Sequence, residues 1–227
     1  MLLRRRPRVP IEDAGGLPNN VLPTTQTNQK EYAMTDSLVS TQSRSETDRL
    51  VPPSGTFEID PVHTFVTFRA QHLVVGRVQG RFETVSGTVT VDENVLDSHV
   101  EVVIDAASIA THMPPRDDDL RSSDFLDVAN YPNLTFESTG ITELPAGKWS
   151  IAGNLTIKGI SVPTDLIVEF GGATPDPFGN LRVGFHSTTT ISRRDFGLLH
   201  QLEYHSGSLL VARDVTIEID AEAVHPL

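Results

Sequence analysis

From residue 55 onward, apolar and polar side chains alternate with a period of two, the repeat of a chain whose successive residues point to opposite faces of a sheet. Phe57 and Ile59 alternate with polar neighbours up to a turn at Asp60-Pro61. Val66 and Phe68 then share one face with Phe65 on the other, which predicts a strand with neither face fully wet. Further strands are marked by Val78, Gly80 and Phe82, by Val89 and Val91, and by Val100, Val102 and Ile104. In the second half Leu134 and Phe136 share a face, and Trp149, Ile151, Gly153, Leu155 and Ile157 keep the strictest alternation in the chain. Residues 145–147 read as a hairpin loop and Lys158-Gly159 as a tight turn. Strands are expected over 162–170, with Pro163 at the start because it cannot donate a ladder hydrogen bond, over 181–192 and over 211–221, with 171–180 as a loop.

That is about eight or nine strands at near-regular spacing, a pattern of an antiparallel barrel or sandwich. A barrel is favoured, because closure removes the edges that so many apolar strands would otherwise expose. One stretch breaks the alternation: residues 116–127 hold several helix formers, few β-branched residues and no Gly or Pro, so a helix is expected there. Pro114-Pro115 sets off its entry and Tyr131-Pro132 its exit. Leu120 and Phe125 are spaced poorly for one straight face, so a break is expected around Ser122-Ser123.

The chain of 227 residues is long enough for one such domain with a sizeable core. Residues 1–54, rich in Pro, Ser, Thr, Gln and Asn, read as a disordered tail, with Met34 offering an alternative start, and 55–227 as the domain. The basic beginning, with Arg4, Arg5 and Arg6, lacks the apolar stretch of an export signal, so a cytoplasmic location is expected. The tail carries seven Lys/Arg against six Asp/Glu, which leaves eleven against twenty-four in the domain. A domain that acidic repels nucleic acid rather than binding it. No run of about eighteen apolar residues predicts a membrane span. The absence of cysteine excludes disulfides, thiolate metal sites and cysteine nucleophiles.

Several segments together resemble the YceI-like family of lipocalin-like polyisoprenoid-binding proteins. They are Ile59-Asp-Pro-Val-His-Thr-Phe-Val-Thr-Phe68 with Gln71-His-Leu-Val-Val-Gly76 and Gly80-Arg-Phe82; Arg116-Asp-Asp-Asp-Leu-Arg-Ser-Ser-Asp-Phe-Leu-Asp127 with Tyr131-Pro-Asn-Leu-Thr-Phe-Glu-Ser138; Gly153-Asn-Leu-Thr-Ile-Lys-Gly159; and Ile191-Ser-Arg-Arg-Asp-Phe-Gly197. The ordered set spans the whole domain and none of the tail. Two positions depart from the family pattern: Asp119 stands where a histidine is usual, and Leu126 where a second aromatic is common. The resemblance implies an all-β, eight-stranded antiparallel lipocalin-like barrel with one short helical excursion. It further implies an apolar bore holding a long isoprenoid such as a polyprenyl phosphate or an isoprenoid quinone, a carrier role without catalysis, and a homodimer.

All ten phenylalanines lie between residues 57 and 196, more than a core of this size needs if some line a bore. Phe65, Phe68, Phe82, Phe125, Phe136, Phe185 and Phe196 are the aromatic ligand contacts expected, with Leu120 and Arg121 from the helix and His72 from the turn after the strand around 64–69. Arg193 and Asp195 follow a strand directly; a guanidinium at the bore mouth suits a phosphate or carbonyl head, and an Arg–carboxylate strut is the structural alternative. His200 and His205 with Glu203 between them are the nearest approach to a metal-ligand cluster, yet no His-x-His or His-Glu-x-x-His spacing supports one, so neither metal nor cofactor is expected beyond the bound lipid. Without Gly-x-Ser-x-Gly or a cysteine, nucleophilic catalysis has no motif. An enzyme acting on an isoprenoid lipid at the mouth, built on 193–195 and the histidines, stands as one alternative reading, and a ligand-free interaction module with a plugged bore as another.

Overall fold

The computed structural model describes residues 44–45, 50–73, 75–200 and 211–227. In chain order its strands are β1 (Arg44–Ser45), β2 (Leu50–Val51), β3 (Gly55–Ile59), β4 (Phe65–His72), β5 (Gly76–Phe82), β6 (Val85–Val91), β7 (His99–Asp105) and β8 (Ile109–Ala110). The helix α1 (Pro114–Arg121) follows, and then β9 (Asn133–Glu143), β10 (Lys148–Ile157), β11 (Ile160–Pro175), β12 (Asn180–Ser192) and β13 (Val211–Pro226). None of the described helices is long and apolar enough to cross a membrane.

Eight strands close a ring, β3-β6-β7-β9-β10-β11-β12-β13, with every neighbouring pair antiparallel and β13 returning to β3. This is the eight-stranded antiparallel barrel that the resemblance implied, and the barrel that the alternation favoured over a sandwich. The closing contact is short: β13 meets β3 only at Ala223↔Ile59 and Val224↔Glu58, and the rest of that edge, from Val211 to Asp220, pairs with β4. β5 and then β8 extend the sheet beyond β4. The chain crosses from β3 to β4 at Asp60, whose carboxylate accepts from the Val62 amide at 2.9 Å.

Local chemistry accounts for the connections. Lys158 and Gly159 both have positive φ, 50° and 72°, which twists a two-residue loop the way the flanking strands twist. Residues 171–180, expected as a loop, are mostly sheet instead. β11 runs through Gly171-Gly172 by a register shift against β12 and ends at Pro175, leaving a short turn in which Asp176 accepts from the Phe178 and Asn180 amides. The glycine pair serves as a bulge that bends a long barrel strand, and Pro163 sits within β11 opposite Asn154 rather than at a strand start.

The helix also differs from expectation. It begins earlier, with Pro114 and Pro115 in its first two positions, where a missing N–H costs nothing. It ends at Arg121, because the Ser122 amide and hydroxyl both bond the Asp119 carbonyl, at 3.1 and 2.6 Å, and turn the chain away. The break foreseen at Ser122 is therefore where the helix stops, and residues 122–131 continue as turns.

The disordered tail expected over 1–54 falls largely outside the described residues, as does Met34. Its last residues do not fit that reading. Val51 is 1% exposed and packs with Trp149 and Val168, so the ordered domain takes in β2.

Candidate functional site

Inward-facing residues of the ring and of the adjoining β4 and β5 line one cavity of about 250 Å³. β4 contributes Val66 and Phe68, β7 Val100, Val102 and Ile104, β9 Leu134 and Phe136, β10 Ile151, Leu155 and Ile157, and β13 Val215, Ile217, Ile219 and Ala221. Each set is a run of alternate positions, so a single parity per strand builds the wall. Leu120 from α1, with Phe125, Leu126 and Leu198 from the turns around it, adds to the lining, and the Phe68 and Phe82 rings pack at a tilt of 50° with centroids 5.8 Å apart. An apolar cavity of ~150 Å³ already stays dry and accepts an aromatic hydrocarbon, so this larger one favours hydrocarbon over water.

The wall holds few polar groups. Thr64 Oγ1 donates to the Glu222 carbonyl and accepts from the Glu222 amide, both at 3.2 Å, and Thr189 Oγ1 donates to the Asp165 carbonyl at 3.0 Å. Ser187 and Arg193, both on the wall, are buried. Arg193 donates from Nη2 to the His200 carbonyl at 3.0 Å, and its guanidinium lies 5.4 Å from the Phe125 ring centre. Among the described residues no carboxylate pairs with it. Burial pulls its pKa below the usual arginine value, because water no longer stabilises the charge.

The structure thus sets Phe68, Phe82, Leu120, Phe125, Phe136, Phe185 and Arg193 on the cavity wall. It sets the other expected contacts elsewhere. Phe65 is 44% exposed on the outer face, since it alternates with Val66 and Phe68, which point in. His72 lies at the end of β4 opposite Gly76, beyond the lining. Arg121 is a strut, donating to the Ala107 and Ile109 carbonyls at 2.8 and 2.6 Å. Asp195 is exposed on the 3₁₀ turn after β12 and does not converge with Arg193, so neither the salt-bridged strut nor the charged triplet of the enzyme reading forms. Phe196 is fully buried in the core among Leu126, Leu155 and Leu198, off the wall. Glu203 and His205 lie outside the described residues. Ser187, Thr64 and the inward residues of β10 and β13 were not among the expected contacts; for Ser187 the signal was its parity with Phe185.

Two ionic clusters brace the scaffold. Arg182 Nη1 bonds Asp60 Oδ2 at 2.6 Å and Glu222 Oε2 at 2.7 Å, and Nη2 lies 3.4 Å from Asp176 Oδ2. Burial works to raise the Asp60 pKa, but the bonds from Arg182 and His63 outweigh it and hold that carboxyl well below its usual range. Asp60, His63 and Glu222 could in principle ligate a metal, yet Arg182 already bonds both carboxylates. Beside α1, Asp117 is buried and accepts from the Thr111 amide at 2.9 Å and from its hydroxyl. Burial pushes its pKa up; the Thr111 bonds and the charges of Arg121 and Arg116 outweigh that and lower it.

Known proteins are similar to this chain in sequence or in architecture. A UPF0312 protein of Vibrio parahaemolyticus is 39% identical over 137 residues, 60% of this chain and 72% of that protein. Among solved structures, BcnA of Burkholderia cenocepacia superposes with a TM-score of 0.64 at 23% identity, covering 73% of this chain and 99% of BcnA. A polyisoprenoid binding domain from Saccharophagus degradans, implicated in plant cell wall breakdown, superposes at 0.55 with 17% identity, over 75% of this chain and 98% of the domain. The model of the YceI-like domain matches residues 57–223. The ordered motifs, the closed ring and this match agree, and the chain belongs to the YceI-like domain family.

Proposed function

We propose that this barrel binds a polyisoprenoid lipid, a polyprenyl phosphate or an isoprenoid quinone, with its tail in the bore and its oxygen-bearing head at Arg193, and that it carries the lipid without transforming it. The observation that carries this reading is the cavity: hydrocarbon on nearly every side, with one buried cation among its walls. Removing apolar surface from water is worth about 0.8 kcal/mol per buried CH₂, so a prenyl tail binds tightly with few polar contacts. The polyisoprenoid binding domain of Saccharophagus degradans, alike in fold, supports it. An open cavity speaks against a bore plugged by its own side chains, and the scattering of Arg193 and Asp195 removes the motive for chemistry at the mouth. Organic extraction of the purified protein followed by mass spectrometry is expected to yield a long isoprenoid. Protein that emerges empty and also fails to take up prenyl phosphate and prenylated quinone would overturn the proposal.

A further inference from the structure

One hydroxyl in the bore is unaccounted for. Along β12 the inward positions run Phe185, Ser187, Thr189, Ile191, and Arg193 follows the strand. Ser187 is 5% exposed, and among the described residues its Oγ has no hydrogen-bond partner. Its neighbours across the sheet are Val168 on β11 and Ile219 on β13, both apolar and both on the cavity wall. The two other hydroxyls of the wall, Thr64 and Thr189, are each tied to a backbone carbonyl. A buried hydroxyl without a partner is destabilising, and alanine would suit a purely hydrocarbon tail better.

Five residues lie between Ser187 and Arg193, so the strand runs about 17 Å from Ser187 to its end at Ser192, just before Arg193. Both offer hydrogen-bond donors to the same cavity, and between them along the chain the wall is formed by Thr189, already tied to the Asp165 carbonyl, and Ile191. An unsubstituted isoprenoid bound with its head at Arg193 would bury the Ser187 hydroxyl against hydrocarbon. A lipid bearing a second oxygen at its far end would satisfy it. We infer that Ser187 is a second polar subsite of the bore, selecting an isoprenoid that carries a hydroxyl or carbonyl oxygen at each end, one meeting Arg193 and the other Ser187. This rests on the lipid-binding reading and narrows its substrate class. Sites that hydrogen-bond a ligand oxygen discriminate strongly against the analogue that lacks it, because the site's own group is then left unpaired.

The test uses the full chain, delipidated, and competition between a fluorescent prenyl probe and two lipids: geranylgeraniol, and geranylgeraniol carrying a second hydroxyl at its far end. The wild type is expected to bind the doubly oxygenated lipid about tenfold more tightly. Ser187→Ala is expected to lose that preference while binding plain geranylgeraniol at least as well as the wild type, which also shows the variant to be folded. Equal binding of the two lipids by the wild type overturns the inference and leaves lipid binding standing, and indicates that Ser187 meets only a trapped water. A preference that persists in Ser187→Ala overturns it too. Failure of both lipids and the probe to bind overturns the lipid reading itself, and the subsite with it.

Discussion

Replacing Arg193 with methionine separates a ligand-binding charge from a structural one. Met replaces the apolar stem of the arginine without its guanidinium or charge, and adapts to irregular apolar space. Three terms compete. The variant loses the bond to the His200 carbonyl at 3.0 Å, a charge-assisted bond worth about 1.5–3 kcal/mol. It also loses the approach to the Phe125 ring at 5.4 Å, worth ~0.5–2 kcal/mol. Against these it removes a buried cation without a carboxylate partner among the described residues, whose desolvation costs several kcal/mol. The terms nearly cancel, so the empty protein is expected to keep its stability to within ~1 kcal/mol, a melting shift below about 4 °C. Binding should change far more. The wild type is expected to hold a prenyl phosphate more tightly than the matching alcohol, and Arg193→Met to erase that margin, a loss of about tenfold or more, with the alcohol little affected. Calorimetry on delipidated protein and competition binding with the two lipids read both quantities. Destabilisation beyond ~3 kcal/mol, with both lipids weakened equally, would refute the reasoning and make Arg193 a strut for the turn that follows β12.

Other substitutions probe the scaffold. Asp117→Asn keeps an acceptor for the Thr111 amide but removes the anion facing Arg116 and Arg121; a loss of about 1–3 kcal/mol is expected in urea unfolding, and an unchanged midpoint would contradict the role given to this carboxylate. Arg182→Leu strands Asp60 and Glu222 together and should cost about 3 kcal/mol by thermal denaturation. Gly153→Ala would set a methyl against Phe136 Cζ, well inside contact distance, and 2.6 Å from the Glu137 carbonyl. It is expected to destabilise by ~1–3 kcal/mol and to reduce lipid uptake by displacing a wall residue, and unaltered uptake would count against Phe136 as lining. Asp60 and Asp117 have folded pKa values below the ordinary 3.8. Their contribution is therefore fully present above that value and is lost as pH falls through the depressed folded values. A pH series of melting curves should be flat near neutrality and decline on acidification below about pH 4, and a decline already complete at pH 5 would contradict the sign.

The barrel was legible because strand parity is a local property. Val100, Val102 and Ile104 share a face in any strand, and that face is the bore. Phe65 was misread for the same reason: two-sided apolarity says that a strand has apolar residues on both faces, not that both are buried, and parity forced one of them outward. Arg121, Asp195 and His72 were misplaced because helix ends, turns and strand ends do not inherit a parity. Their directions come from backbone bonds such as the Ser122 contacts to Asp119 and the left-handed Gly197, at φ 69°, after the 3₁₀ turn. Gly171-Gly172 and Pro175 look like loop residues by type, yet glycine also permits a bulge, and only pairing with β12 decides between the two. Ser187 stayed invisible because a serine in a strand is ordinarily a solvent-facing residue.

A closed ring of hydrogen bonds has no frayed end, so it yields first at its shortest seam, and here that seam is the pairing of β3 with β13 at Ile59–Ala223 and Glu58–Val224. Arg182 reaches across the same place, joining Asp60 at the end of β3 to Glu222 on β13. The mechanical weak point and the main ionic clamp of the barrel therefore coincide. Opening at this seam would leave β13 held on that edge by its pairing with β4 and on the other by β12. Amide exchange at Ile59 and Ala223 that is faster than along β10, and faster still in Arg182→Leu, is the expected mark of such a seam; uniform protection around the ring would rule it out.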